Sequence, residues 1–230
     1  MLKIHDVTVI YPDKTKAVDS LSFTLKEGEN IALIGENGAG KTSLLLAVVG
    51  ILEISGGVIE VNGARLTKKN LSEIRRQVGL VFQNPDDQLF MPLIYDDVAF
   101  GCRNCGLPED EVKDRVEKTL ERLDIGYLRN RSSLKLSGGE KRMAAIATVL
   151  AMDPAVLVFD EPTAYLDPKA KRALAEALKS LRHPKLIATH DMAFAAEVCN
   201  RLIILKNGRL MADGDLSLLN DDEFMRDCGL

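Results

Sequence analysis

One stretch, Gly35-Glu36-Asn37-Gly38-Ala39-Gly40-Lys41-Thr42, constrains this chain more than any other. It fits the spacing G-x-x-x-x-G-K-[ST]. A β-type run, Asn30 to Ile34, leads into it, and an apolar helical run, Ser43 to Val49, leads out. Strand, glycine loop and helix in that order make a cradle for phosphate. Glycine lets the backbone wrap closely and turn its N–H groups toward an anion. The helix beginning near Gly40 adds its positive end. Lys41 supplies a point charge for β- and γ-phosphates, and Thr42 a hydroxyl for Mg²⁺. A plain glycine-rich turn would lack these flanks, so the stretch implies a bound nucleoside triphosphate.

The chain of 230 residues holds one large domain, or one domain with an inserted lobe. A net charge of −4 argues against a broad nucleic-acid surface, which needs an excess of Lys and Arg. Phosphate affinity must therefore be local. Met1 to Ile10 is broken by Lys3, His5 and Asp6 and does not read as a signal peptide. The longest apolar run, Met143 to Phe159, is interrupted by Asp153-Pro154 and falls short of the ~20 residues of a membrane span. A cytoplasmic protein is expected. Cys102 and Cys105 have metal-like spacing, but no second pair or neighbouring His completes a zinc set. Reduced thiols are the expectation for these two and for Cys199 and Cys228.

Periodicity changes along the chain. Val7, Val9 and Tyr11 alternate, as do Leu21, Phe23 and Leu25, and Val58 to Val61 ends at the hairpin signal Asn62-Gly63. Strands this close, without helices between them, predict antiparallel pairing. Later, VGLVF (Val78–Phe82), VLVF (Val156–Phe159) and LIAT (Leu186–Thr189) are short apolar runs separated by helical segments, the mark of buried parallel strands. Val112, Val116, Leu120 and Leu123 stripe one helix, and Leu174, Leu178 and Leu181 another. Leu202–Lys206, Asn207-Gly208 and Arg209–Met211 read as a hairpin. The predicted fold is α/β: a phosphate-loop NTPase core with a mixed parallel sheet, an N-terminal antiparallel β subdomain and an inserted helical subdomain. Residues 1–83 and 151–230 are assigned to the core and 84–150 to the helical lobe. Leu216 to Leu230 reads as a short acidic helix or tail.

Two further motifs carry chemistry. Val156 to Phe159 is an apolar strand that delivers Asp160 and Glu161 at its C-terminal end, where open α/β sheets bind ligands. Asp160 there suits Mg²⁺, and Glu161 suits polarisation of an attacking water. Leu136-Ser137-Gly138-Gly139-Glu140 precedes an alanine-rich helix, Lys141 to Leu150. Ser137 is a good N-cap and the glycines leave backbone N–H groups bare, which makes a second anion cradle without a lysine. A chain that already has one complete phosphate loop has no internal need of another, so the spare cradle points to a site shared between molecules.

These pieces, in this order, resemble the ATP-binding subunit of ABC (ATP-binding cassette) transporters. Leu136 to Glu140 is similar to that family's signature sequence, and the resemblance covers nearly the whole chain. It implies an Mg-dependent ATPase coupled to transport, with ATP and Mg²⁺ as cofactors. By that resemblance Tyr11 stacks on adenine. Gly35, Glu36, Asn37, Gly38, Ala39, Gly40, Lys41 and Thr42 bind phosphates, and Ser43 reaches the α-phosphate. Gln83 touches Mg²⁺ and the water, joining Thr42 and Asp160 in the metal set. His190 is the switch histidine at the γ-phosphate and Glu161 the catalytic carboxylate. Two subunits meet head to tail, so Ser137, Gly138, Gly139 and Glu140 complete the partner's site while Asp167 crosses the interface. Two positions depart from the common pattern: Glu140 stands where many members have Gln, and Tyr165 where Gly is usual.

Asn84-Pro85-Asp86-Asp87-Gln88-Leu89-Phe90, followed by Asp97-Val98-Ala99-Phe100-Gly101, resembles the ATPases of cobalt and nickel importers and of energy-coupling-factor vitamin importers. This implies an integral membrane subunit docking near 84–101, a homodimer or a heterodimer with a paralogue, and a peripheral place on the inner face of the membrane. No nucleic acid is expected. The competing reading is a non-transport ABC ATPase acting on nucleic acid or ribosomes. A third is a module that holds ATP without hydrolysing it, against which Glu161 and His190 argue.

Overall fold

The computed structural model describes every residue from Met1 to Leu230. In chain order the elements are β1 (Leu2–Ile10), β2 (Lys16–Leu25), β3 (Asn30–Ile34), α1 (Lys41–Val48), β4 (Gly56–Val61), β5 (Ala64–Arg65), α2 (Leu71–Gln77) and β6 (Val78–Val81). Three helices follow: α3 (Ile94–Asn104), α4 (Glu109–Arg122) and α5 (Gly138–Leu150). The chain then continues through β7 (Val156–Asp160), α6 (Pro168–Ser180), β8 (Lys185–Ala188), α7 (Met192–Val198), β9 (Arg201–Lys206), β10 (Arg209–Gly214) and α8 (Asp222–Asp227). The expected terminal helix is thus a 3₁₀ turn, Leu216–Asn220, followed by the short α8. The chain divides into two compact units: residues 1–80, 155–161 and 182–230 form a core unit, and 81–154 with 162–181 a helical one.

The core unit holds two sheets. A four-stranded sheet has the order β2-β1-β4-β5, and its β1–β2 and β1–β4 pairs are antiparallel, as the crowded strand signals require. Asn62 and Gly63, both at positive φ, make the tight β4–β5 turn. The alternation of β1 is broken once: Asp6 sits at φ 48°, the pairing shifts between Ile4 and Val7, and burial changes phase from Leu2/Ile4 to Val7/Val9. Ser20, at φ 51° on β2, makes a matching irregularity, so Val18 and Leu21 both stay buried.

The second sheet has the order β10-β9-β3-β8-β7-β6. β3 pairs parallel with β8 and β9, β7 pairs parallel with β8, and only the edge hairpin β9–β10 among these is antiparallel. Residues of β3, β7 and β8 are apolar on both faces because both faces are covered; Ile31, Leu33, Leu157, Phe159 and Ile187 have no exposed surface. Truncating any of them to Ala removes about 2–5 kcal/mol of stability.

The helical unit contains α3, α4, α5 and α6. Val112, Val116 and Leu120 form the buried stripe of α4, and Leu174, Ala175 and Leu178 that of α6. The sequence assignment of residues 151–230 to the core includes α6. In the structure α6 packs on α5, because its apolar stripe needs a partner face and Gly139 at the start of α5 admits close approach.

Candidate functional site

Parallel register sets the chemistry of the core unit. Pairing of Phe159 with Ile187, Asp160 with Ala188 and Leu33 with Ala188 brings the C-terminal ends of β3, β7 and β8 to one edge. The Glu161 N–H donates to Ala188 O at 2.8 Å and the Thr189 N–H to Leu33 O at 3.1 Å, extending that alignment past the strand ends. The segments leaving this edge are the phosphate loop, Asp160-Glu161 and Thr189-His190.

Gly40 caps α1 in the left-handed region at φ 99°, and a Cβ there would lie 2.1 Å from Ala17 O. Neither the conformation nor the space admits a side chain. Lys41 is 7% exposed, and its Nζ donates to Gly35 O at 2.6 Å and Glu36 O at 3.1 Å. Burial holds its ammonium below the usual lysine range, opposed by the charges of Glu161 and Asp160. A cation short of solvent and held among carbonyls is well placed to exchange those partners for an anion.

The Thr42 hydroxyl donates to Asp160 Oδ1 at 3.1 Å. Glu161 is 7% exposed; its Oε2 lies 2.8 Å from His190 Nδ1 and accepts from the His190 N–H at 3.2 Å, while Oε1 lies 3.9 Å from Lys41 Nζ. Its backbone sits at φ 43°, strain of order 1 kcal/mol that ordered neighbours maintain. The His190 side chain is 66% exposed, so one ring edge grips Glu161 and the other faces outward. On the flank of the loop, Tyr11 Oη and Ser43 Oγ are 2.9 Å apart. Thr42 and Asp160 offer oxygen donors only, which suits a hard divalent cation completed by phosphate oxygens.

The helical unit carries the other predicted residues. Ser137 caps α5 in a capping box: the Glu140 N–H donates to Ser137 Oγ at 3.3 Å, and the Ser137 N–H donates to Glu140 Oε2 at 2.8 Å. A Cβ on Gly139 would lie 2.8 Å from Ala170 Cβ, so glycine is what lets the start of α5 meet the start of α6. Asp167 caps α6, its Oδ1 accepting from the Ala170 N–H at 2.8 Å. The signature glycines and Asp167 therefore share one face of this unit. Gln83 follows β6, where Arg142 Nη1 and Nη2 donate to Phe82 O and Gln83 O, both at 2.6 Å.

Sequence reasoning missed Arg142. It is 1% exposed and ties α5 to the segment bearing Gln83. No signal set it apart in the sequence: Glu140 and Lys141 beside it are charged too, and Arg142 reads as the end of a polar helix start. Gln88 was also missed as an organiser: it accepts from the Phe82 N–H at 3.2 Å and donates to Ala145 O at 2.8 Å.

A family profile described as ABC transporter matches residues 18–164. The energy-coupling factor transporter ATP-binding protein EcfA of Carboxydothermus hydrogenoformans is 42% identical over 232 residues, covering 100% of this chain and 86% of that protein. Among solved structures, cbiO1 of Clostridium perfringens, part of the ABC transporter complex cbiONQ, matches at TM-score 0.86 and 37% identity, covering 98% of this chain and 93% of its own. The ATP-binding cassette MJ0796, a dimer in a post-hydrolysis state bound to ADP and Pi, matches at TM-score 0.83 and 26% identity, covering 94% and 99% respectively.

Proposed function

Because this chain belongs to the ABC transporter family of ATP-binding subunits, we propose that it hydrolyses ATP between two head-to-tail cassettes to power an importer. The observation that carries this reading is the placement of Glu161, buried at the sheet edge, gripped by His190 at 2.8 Å and lying 3.9 Å from Lys41. A carboxylate so oriented takes a proton from water while the lysine holds phosphate charge. Lys41 and the N–H groups of Gly38 to Thr42 bind the phosphates, Ser43 reaches the α-phosphate and Tyr11 meets the adenine. Thr42, Asp160 and Gln83 would hold Mg²⁺, which supplies charge neutralisation of the phosphates when bound. Ser137, Gly138 and Gly139 complete the site of the facing cassette, and Asp167 lies on the same face. Closure over ATP and release after hydrolysis move the helical units, and a membrane subunit reads that movement.

The cargo is proposed as cobalt or nickel ion, or a vitamin. The 84–101 segment and the similarity to EcfA and cbiO1 support it. Phe90 and Phe100 stack edge to face with centroids 5.0 Å apart, and Phe90 stays 62% exposed. An outward aromatic pair of this kind fits a docking surface for the membrane subunit. The partner cassette is a second copy or a paralogue.

Turnover of Mg-ATP by the purified protein and by Glu161→Gln tests the reading. The wild type should hydrolyse ATP slowly. The variant should lose about 10²-fold or more of that rate and accumulate as an ATP-bound dimer. A wild-type protein without turnover, together with a variant that stays monomeric in ATP, would sink it.

A further inference from the structure

The Ser137–Glu140 pair holds more than a helix cap needs. Besides the capping box, the Ser137 hydroxyl lies 2.8 Å from Glu140 Oε2. An ionised carboxylate only accepts hydrogen bonds, and a serine hydroxyl has one proton to give. Glu140 Oε2 therefore takes both donors of Ser137, its N–H and its O–H, at 2.8 Å each. A phosphate oxygen entering the cradle calls on the same hydroxyl proton. Ser137 cannot serve both anions at once.

We infer that Glu140 is a positioning residue that restrains the signature cradle, so that the terminal phosphate of a nucleotide held by a second cassette must displace its carboxylate from Ser137. The inference rests on the head-to-tail reading above. Glutamine at the same place forms the same capping box and therefore keeps the helix start. Its amide oxygen is neutral, a weaker competitor for the Ser137 proton than a phosphate. Its NH₂ can also turn to the Ser137 oxygen, which leaves the hydroxyl proton free. The groups facing Glu140 are Ser137 at its helix cap, Tyr127 of the 3₁₀ turn Gly126–Leu128, whose hydroxyl also hydrogen-bonds it, and Arg131 just after that turn. The Ser137 N–H and O–H hold the carboxyl below its usual range, so the restraint persists at neutral pH. This chain thus raises the ATP concentration needed for pairing without altering the residues that cleave the nucleotide.

The test compares Glu161→Gln with Glu161→Gln/Glu140→Gln. ATP is titrated while dimer formation is followed by light scattering. The added substitution should lower the half-saturating ATP about tenfold, the weight of one charge-assisted hydrogen bond. With Ser137→Ala also present, Glu140→Gln should shift that value by no more than about twofold, because the contested hydroxyl is gone. Urea melts of the Glu140→Gln pair should superimpose, which separates the effect from helix capping. An unchanged or raised ATP requirement overturns the inference while leaving the paired-cassette reading intact. So does an equal shift with and without the Ser137 hydroxyl. If Glu161→Gln alone stays monomeric at saturating ATP, the pairing premise fails and the inference with it.

Discussion

The two anion cradles of this chain are built on opposite plans. The phosphate loop in the core unit carries its own cation, Lys41, its own oxygen groups, Thr42 and Asp160, and its own carboxylate, Glu161, all at the end of a buried parallel sheet. The signature cradle in the helical unit has backbone N–H groups and one hydroxyl, and its nearest charge is the anionic Glu140. On the proposed reading, the first would hold a polyphosphate by charge. The second contributes directed donors of low affinity, useful only once the charge has been met elsewhere. If the cassettes pair and part in each cycle as proposed, that inequality lets the weak half set the closure threshold.

The largest expected effect breaks the strong half. Lys41→Met should weaken nucleotide binding by about 10²-fold, the loss of a charge-assisted contact worth up to ~3 kcal/mol. Gly139→Val should leave nucleotide binding to the monomer unchanged, because its conflict is with Ala170 Cβ at 2.8 Å inside the helical unit. It should abolish ATP-driven pairing. Equilibrium binding of a fluorescent ATP analogue and light scattering together check this pair. Equal losses of monomer binding in both variants would erase the distinction between the cradles.

The next effect concerns how the weak half is supported. Arg142→Met removes two hydrogen bonds of 2.6 Å and takes the side-chain donors from the carbonyls of half-buried Phe82 and exposed Gln83. A loss of about 1–3 kcal/mol is expected in urea unfolding. Amide exchange should rise first at the Gln83 segment. Uniform exchange throughout the chain would mean that Arg142 supports overall packing and not this segment.

A smaller effect is electrostatic. Asp97 is 3% exposed; its Oδ1 accepts from the Phe90 and Met91 N–H groups at 3.0 and 2.9 Å, while Oδ2 has no partner. Burial pushes its carboxyl above the usual range, partly opposed by those N–H groups, and Asp96 adds a like charge. A raised folded pKa means that folding takes up a proton between the unfolded and folded values. Stability therefore rises as pH falls through that window, and the ionised form costs stability at neutral pH. Asp97→Asn keeps an oxygen for Phe90 and Met91 and removes the charge. Its melts at pH 7 and pH 5 should differ less than those of the wild type; an unaltered difference would assign the slope to other groups.

What the sequence showed depended on whether each feature had a local cause. The Asn62-Gly63 and Asn207-Gly208 turns were legible because left-handed dipeptides favour those residues, and the structure places positive φ at all four. The phosphate loop and Asp160-Glu161 were legible because strand, loop and helix follow within a few residues. The irregularities at Asp6 and Ser20 were not, since either residue could equally continue a strand. Arg142 was illegible for another reason: its partners at Phe82 and Gln83 lie about 60 positions away, and no periodicity announces a cation turned inward. The placement of α6 with α5 followed from packing at Gly139, a contact of tertiary origin.

The smallest expected effect sharpens the comparison at the rim of the weak cradle. Tyr165 sits at φ 61° with 92% of its surface exposed, in a turn closed by the Leu166 N–H donating to Thr163 O at 3.2 Å. A bulky residue in the left-handed region carries a penalty of about 1–2 kcal/mol, and an exposed ring offers no burial inside the chain to offset it. Tyr165→Gly removes the steric penalty but adds unfolded-state entropy worth about 0.5–1 kcal/mol, so its net gain should be under about 1 kcal/mol, near 2 °C in Tm. Tyr165→Ala keeps the strained backbone and removes only the ring, so its Tm should stay at the wild-type value. If glycine and alanine raise Tm equally, the ring and not the backbone carries the cost. If only glycine stabilises, and both variants need more ATP to pair, then the strain is retained for a ring that rests on the facing cassette. The weak cradle would then owe part of its closure to an aromatic contact beside it, a form of support that the charge-built phosphate loop does not need.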